Sequence, residues 1–213
     1  MAKRKRPVDQ TRAFYACNAE NYAKHNPSPG FTEQREGFAA QLPPGASVLD
    51  LGCGGGHDSL ALLKQGFKVT SLDGSPELAS IAQTRTGQDV IVADFLDLKF
   101  TNEFDAVWAA ASLLHVSSND LNEVFAKVVR SLRPGGIFKA SFKEASQDWT
   151  DDLGRYFCAM DVPKLVQLLK ASGFEAVTIE SHPGVGSDGK VTQWIWGTGF
   201  LQGKSSIKAS ASS

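Results

Sequence analysis

Residues Val48-Leu49-Asp50-Leu51-Gly52-Cys53-Gly54-Gly55-Gly56 constrain this chain more than any other stretch. A short apolar run passes straight into clustered glycines, and a helical pattern follows. A buried strand that turns at once into a helix needs a bend free of side chains, so the stretch predicts a strand-loop-helix unit whose backbone can approach a ligand closely. From Ser47 onward short apolar runs alternate with longer helical segments, the pattern of parallel strands joined by crossover helices.

Strands are predicted over Ser47–Leu51, Phe67–Leu72, Val90–Ala93, Phe104–Ala110 and Ile137–Phe142. Ser75-Pro76-Glu77 reads as an N-cap followed by proline in the first turn, and Leu121, Phe125, Val128 and Leu132 recur at helical spacing. Arg133-Pro134-Gly135-Gly136 supplies a tight turn before the fifth strand. A helix capped by Asp161 carries Leu165, Leu168 and Leu169 and stops at Gly173. Two final apolar runs, Phe174–Ser181 and Lys190–Gly199, flank a turn-rich connection and predict an antiparallel hairpin. The result is a seven-stranded, mostly parallel α/β sheet with helices on both faces.

Ahead of the sheet, helices are predicted over Arg12–Lys24 and Thr32–Gln41, separated by a break at residues 25–30. The chain divides into N-terminal helices over 1–45, a core over 46–201 and a polar tail over 202–213 expected to be disordered. Twenty-two basic against 23 acidic residues give a net charge of −1. That balance offers no field for gripping a polyanion, so nucleic acid is an unfavoured partner. The basic run Lys3–Arg6 can be read as a nuclear address or nucleic-acid arm, the blander expectation being a frayed, solvated terminus. Cys17, Cys53 and Cys158 form neither a disulfide framework nor a CxxC pair, and no apolar stretch suffices to span a bilayer. These features point to a cytoplasmic protein with no metal site and no membrane contact.

Two other uses of a glycine loop fail on register. A dinucleotide fingerprint starting at Gly52-x-Gly54 needs glycine at 57, where His57 stands, and no Gly-Lys-Ser/Thr closes a phosphate loop. Asp50 at the strand end would repel a pyrophosphate yet favour a ligand carrying an ammonium and a sulfonium. Asp73 ends the second strand, where a carboxylate accepts from both ribose hydroxyls. Asp94 ends the third, placed to accept from an adenine amine beside the apolar wall of Phe95. Three aspartates at successive carboxyl ends mark the ligand-binding edge of a doubly wound sheet.

Together these residues resemble the class I S-adenosylmethionine-dependent methyltransferases. The family's Asp/Glu-x-Gly-x-Gly-x-Gly motif is matched by Asp50, Gly52, Gly54 and Gly56. Leu72-Asp73-Gly74-Ser75, Ala93-Asp94-Phe95, Phe104-Asp105-Ala106-Val107 and Leu132-Arg133-Pro134-Gly135-Gly136 look like its next four motifs, in order. Gly52–Ser59 and Trp108–His115 are also similar to a bacterial subgroup related to tellurite- and thiopurine-type methyltransferases. The resemblance implies a Rossmann-like sheet in the order 3-2-1-4-5-7-6 with the seventh strand antiparallel. It also implies S-adenosylmethionine as cofactor, held by Tyr22, Asp50, Gly52, Cys53, Gly54, Asp73, Gly74, Asp94, Phe95 and Ala110, under N-terminal helices that form a lid. Gly74 departs from the pattern, because family members often carry an apolar side chain there; Phe95 or Leu72 would have to supply that wall.

For the acceptor side, His115 stands after the fourth strand as a base or acceptor-orienting group, the competing role being a helix-end histidine bonded to backbone. Arg155 and Tyr156 are candidates for holding an anionic or aromatic acceptor, or else a surface arginine and a packing tyrosine. Tyr15 and Tyr22 belong to the lid or simply pack. Ala109-Ala110-Ala111-Ser112 replaces the Asn/Asp-Pro-Pro-aromatic signature of enzymes that methylate exocyclic amines. A small-molecule acceptor is expected, methylated by direct in-line displacement. The alternatives are a non-catalytic cofactor-binding or scaffold subunit and an RNA methyltransferase.

Overall fold

The computed structural model describes residues 7–24 and 29–203. The basic run Lys3–Arg6, residues 25–28 of the break between the first helices and residues 204–213 of the polar tail lie outside them. Two helices, α1 (Pro7–Lys24) and α2 (Pro29–Ala39), precede β1 (Ser47–Leu51). Then come α3 (His57–Lys64), β2 (Lys68–Asp73), α4 (Pro76–Thr86), β3 (Val90–Val92), β4 (Phe104–Ala109), α5 (Leu121–Ser131) and β5 (Leu132–Lys143). A two-stranded ribbon, β6 (Trp149–Thr150) and β7 (Tyr156–Phe157), leads to α6 (Val162–Ala171) and the hairpin β8 (Ala176–Val185) and β9 (Val191–Phe200).

The main sheet has the order β3-β2-β1-β4-β5-β9-β8, with β9 antiparallel to both its neighbours. This is the expected topology, shifted in numbering by the ribbon that the sequence did not signal. Local rules explain the predicted helix starts. Ser75 Oγ accepts from Leu78 N at 3.3 Å ahead of Pro76, and Asp161 Oδ1 accepts from Lys164 N at 2.8 Å. Central strands bury both faces: Val48, Leu49, Ala106, Val107, Trp108 and Phe138 are fully inaccessible. Each large side chain of this kind stabilises the fold by about 1.5–3 kcal/mol.

Three boundaries differ from expectation in ways that matter below. Helix α1 starts at Pro7, not Arg12, because proline fits a first helical turn, where its missing N–H costs nothing. Strand β5 starts at Leu132 rather than Ile137. The Arg133–Gly136 turn is absorbed as an irregularity between the rungs Phe104↔Leu132 and Ala106↔Ile137, where Gly135 N donates to Gln202 O at 2.9 Å. The first hairpin arm runs on to Val185, past its expected end at Ser181, and pairs there with Val191, so the tip at 186–190 stands beyond the carboxyl edge of the sheet. Among the described residues no helix is long and apolar enough to cross a membrane, and no cluster of His, Cys, Asp or Glu could hold a metal.

Candidate functional site

At the carboxyl edge of β1, β2 and β4 lies a cleft in two connected chambers. The smaller, of about 100 Å³, is walled by Asp73, Gly74, Leu78, Asp94, Phe95 and, from α1, Arg12. The larger, of about 430 Å³, opens between the glycine loop and the β8–β9 tip. Tyr15, Tyr22, Gly52, Gly54, Ala110, Ala111 and His115 line both.

The glycine loop is shaped by contact as well as by conformation. Gly52 has φ +86°, and a Cβ there would meet Ser112 Cβ at 2.3 Å, so no other residue fits. The opposite wall is pinned: Ser112 Oγ donates to Leu51 O at 2.6 Å and Ala111 N to Ser141 Oγ at 2.8 Å. Ala111 is held at φ +50°, a left-handed strain that a non-glycine residue bears where surroundings over-determine it.

Asp73 grips this loop from the next strand, accepting from Gly54 N through Oδ2 and from Ser75 N through Oδ1, each at 2.8 Å. The Gly74 backbone N–H also favours the carboxylate, which lines the smaller chamber where a vicinal diol can reach it. Burial raises its pKa despite those bonds. Asp50 lies in the larger chamber, accepting from Ser59 Oγ at 2.5 Å. Burial, reinforced by the charge of Asp58, pushes its pKa up to about 8. Such a carboxyl is suited to a cationic ligand, which restores the ionised form by charge pairing. Asp58 itself is matched by Arg35 at 2.7 Å and by Trp108 Nε1 at 2.9 Å. Cys53 lines the larger chamber with a thiol that burial keeps protonated.

In the smaller chamber Phe95, with Leu78 and Leu96, provides an apolar wall; Leu72 is buried in the core and does not line it. At Gly74 the space for a side chain is used by Arg12, whose Nε would stand 3.2 Å from a Cβ there. Arg12 also pairs with Asp94 Oδ2 at 2.7 Å, while Asp94 Oδ1 accepts from Leu96 N at 2.9 Å. Asp94 therefore caps the short 3₁₀ turn Phe95–Asp97 and receives the arginine as well as facing the chamber.

His115 is buried, with Nδ1 2.6 Å from the Tyr156 carbonyl and Nε2 2.9 Å from the Tyr15 hydroxyl. A carbonyl only accepts, so Nδ1 carries the proton and Nε2 accepts from Tyr15. Burial lowers its pKa to about 4. The imidazole thus remains neutral at pH 7 but is a weak base, and its geometry suits orientation better than proton abstraction. Tyr15 and Tyr22 meet edge to face at 4.9 Å, both phenols raised in pKa by burial.

Arg155 and Tyr156 diverge. Arg155 is buried in the larger chamber, its Nε donating to Asp151 Oδ2 at 2.7 Å and Nη1 to Ser187 Oγ at 2.6 Å, with its guanidinium over Phe14 and Phe157. It is no surface arginine. Tyr156, expected to hold the acceptor, lines neither chamber: its hydroxyl donates to Asp148 Oδ2 at 2.5 Å and accepts from Ser118 N at 3.2 Å. Its side chain packs the ribbon, and only its carbonyl serves the site, by fixing His115.

The sequence reading omitted Thr11, Arg12, Lys143, Phe157 and Trp194. The first two were visible as a stripe, since Val8, Thr11, Arg12, Tyr15 and Tyr22 fall at helical spacing on the face of α1 that lines the smaller chamber. The third was visible as Lys139-x-Ser141-x-Lys143, a polar alternation in a strand otherwise apolar on both faces.

Residues 48–136 match the protein family described as a methyltransferase domain. The chain is 33% identical over 142 residues to YqeM of Bacillus subtilis, covering 62% of this chain and 56% of YqeM. It is also 33% identical over 172 residues to 2-methyl-6-phytyl-1,4-hydroquinone methyltransferase of Synechocystis, covering 76% of this chain and 49% of that protein. It spans about half the length of these curated relatives. Among solved structures, Burkholderia thailandensis 1,6-didemethyltoxoflavin-N1-methyltransferase superposes with a TM-score of 0.72 at 22% identity, covering 95% of this chain and 93% of that one. Its likeness is one of fold. Sheet order, glycine loop and sequence relationship converge: the chain carries a methyltransferase domain of the class I, S-adenosylmethionine-dependent kind.

Proposed function

We propose that the chain binds S-adenosylmethionine across both chambers and transfers its methyl group to a small-molecule acceptor in the larger one. The observation that carries this reading is the Asp73 carboxylate, which accepts from Gly54 N of the glycine loop and from Ser75 N ahead of α4 while lining the smaller chamber. When bound, the cofactor supplies an electrophilic methyl on a sulfonium. The chain's own residues do the rest: Asp73 takes the ribose hydroxyls, Phe95 and Leu96 cover the base, and Asp50 faces the cationic end. An adenine amine at Asp94 would share the carboxylate with Arg12 or displace it. Transfer by in-line displacement needs alignment and dryness more than acid-base chemistry, and the buried Tyr15–His115 pair at the junction supplies alignment.

The small-molecule acceptor is supported by the volume of the larger chamber, about 430 Å³, and by the balanced charge of the chain, which offers no net positive field for a nucleic acid. Two similar proteins are named as methyltransferases of small molecules, 2-methyl-6-phytyl-1,4-hydroquinone and 1,6-didemethyltoxoflavin. Calorimetry tests the cofactor half: S-adenosylmethionine should bind, and Asp73→Ala should weaken it about 100-fold, the loss of two hydrogen bonds to a charged group. Binding untouched by Asp73→Ala defeats this reading. Labelled methyl transfer to tRNA, with none to a broad metabolite panel, defeats the acceptor half.

A further inference from the structure

Lys143 is the last residue of β5 and is 8% exposed, lining the larger chamber. Its ammonium sits 4.7 Å from the centre of the Phe157 ring and 5.8 Å from that of Trp194. Among the described residues no hydrogen bond satisfies it. The nearest carboxylate, Asp188 Oδ2, stands at 3.9 Å, beyond hydrogen-bond range and equally distant from Arg155 Nη2. Arg155, by contrast, is matched by Asp151 at 2.7 Å and by Ser187. The chamber thus contains a nearly buried cation with three N–H donors to spend, set between flat aromatic faces. Burial depresses its pKa, with Arg155 adding to the effect and Asp188 and Asp151 opposing it, and a bound anion would oppose it further.

Register separates this point from the cofactor end. Asp50 pairs with Trp108 and Trp108 with Lys139, and Lys143 lies four residues further along the same strand. That is about 13 Å along the strand and about 10 Å across two strands. The Lys143 ammonium turns further still toward the hairpin tip, where a Cβ on Gly186 would lie 2.9 Å from it. The larger chamber therefore has Asp50 at the glycine loop, and at the tip the Lys143 and Arg155 cations with Asp151 and Asp188 beside them.

We propose that Lys143 is the anion-recognition point of the acceptor subsite, and that the acceptor is a flat aromatic molecule bearing a carboxylate. The carboxylate takes the unspent N–H donors of Lys143, and the ring lies against Phe157, Trp194 or Phe31. This rests on the methyltransferase reading for the direction in which the acceptor's nucleophile points, toward Tyr15 and the glycine loop.

The test uses the full chain and a paired panel: 4-hydroxybenzoate, 3,4-dihydroxybenzoate and salicylate against their carboxamides, with binding followed by ligand-observed NMR and calorimetry. In the wild type the acids should bind about tenfold more tightly than the amides, the value of one charge-assisted hydrogen bond. Lys143→Met should remove that preference with S-adenosylhomocysteine affinity kept within about twofold. Asp188→Asn, which frees the ammonium of its distant competitor, should enlarge the preference. Equal binding of acids and amides, no binding of either, or a preference that survives Lys143→Met overturns the proposal. So does a loss of S-adenosylhomocysteine affinity in Lys143→Met as large as the loss of acid binding, which would give Lys143 to the cofactor. A chain that selects acids through Lys143 yet binds no S-adenosylhomocysteine keeps the anion point and loses methyl transfer. One that binds S-adenosylhomocysteine without selecting acids does the reverse.

Discussion

The two chambers are built on different plans. The smaller takes its walls from the strand ends of β1 through β4 and from α1, with Asp73 and Asp94 each tied to backbone N–H groups close in the chain and Arg12 closing on Asp94. The larger gathers Phe31, Lys143, Arg155, Phe157, Gly186 and Trp194 from five separate segments and leaves an ammonium unsatisfied among them. A chamber whose hydrogen bonds close on themselves presents one shape to one ligand. A chamber with an open donor and aromatic sides is where selectivity is set, and it can be altered residue by residue without unmaking the fold.

The sharpest way to break this contrast is at the floor common to both chambers. Gly52→Ala adds a Cβ 2.3 Å from Ser112 at a φ of +86°, and it should cost about 3 kcal/mol of stability, read as a lower denaturant midpoint with unchanged slope. A neutral result would show that the β1–β4 junction is looser than the described contacts require. The next effect is electrostatic. With Asp50 holding its proton up to about pH 8 in the fold and only to ordinary carboxyl pH when unfolded, the folded state binds more protons and stability falls as pH rises through that window. His115, neutral in the fold down to about pH 4, works oppositely, adding stability as pH rises from about 4 to about 6.5. Above pH 6.5 the His115 contribution is complete, and Asp50→Asn should remove a decline on the order of 1 kcal/mol between pH 6.5 and 8. Cofactor binding at pH 7 should also release close to one proton, detectable as a buffer-dependent enthalpy that Asp50→Asn abolishes. Smallest is Tyr15→Phe, which removes the donor to His115 Nε2. It should cost about 1 kcal/mol and move the imidazole pKa upward, as read by NMR titration. An unmoved pKa would mean that burial alone sets it.

The same contrast governs how far the residues could be read in advance. The strands, the glycine loop and the aspartates at 50, 73 and 94 follow from local rules, because a strand end, a cap or a turn is specified within a few positions, whereas the strand order comes from the family resemblance. The ribbon at 149–150 and 156–157 has strands of two residues each, held by Asp151 bonding back to Arg155, and no periodicity can announce so short a pair. Lys143 and Arg155 draw their character from burial, which arises only when the hairpin tip folds over them. Tyr156 carried the right residue type at the right place in the chain, yet its carbonyl and not its ring reaches the site.

Helix α1 places Tyr15 and Tyr22 in the wall of both chambers, with Arg12 bound to Asp94 at one side and Thr11 Oγ1 accepting from Tyr156 N at the other. One helix thus forms wall for both chambers, so a displacement of α1 would open both at once and would link the entry of one ligand to that of the other.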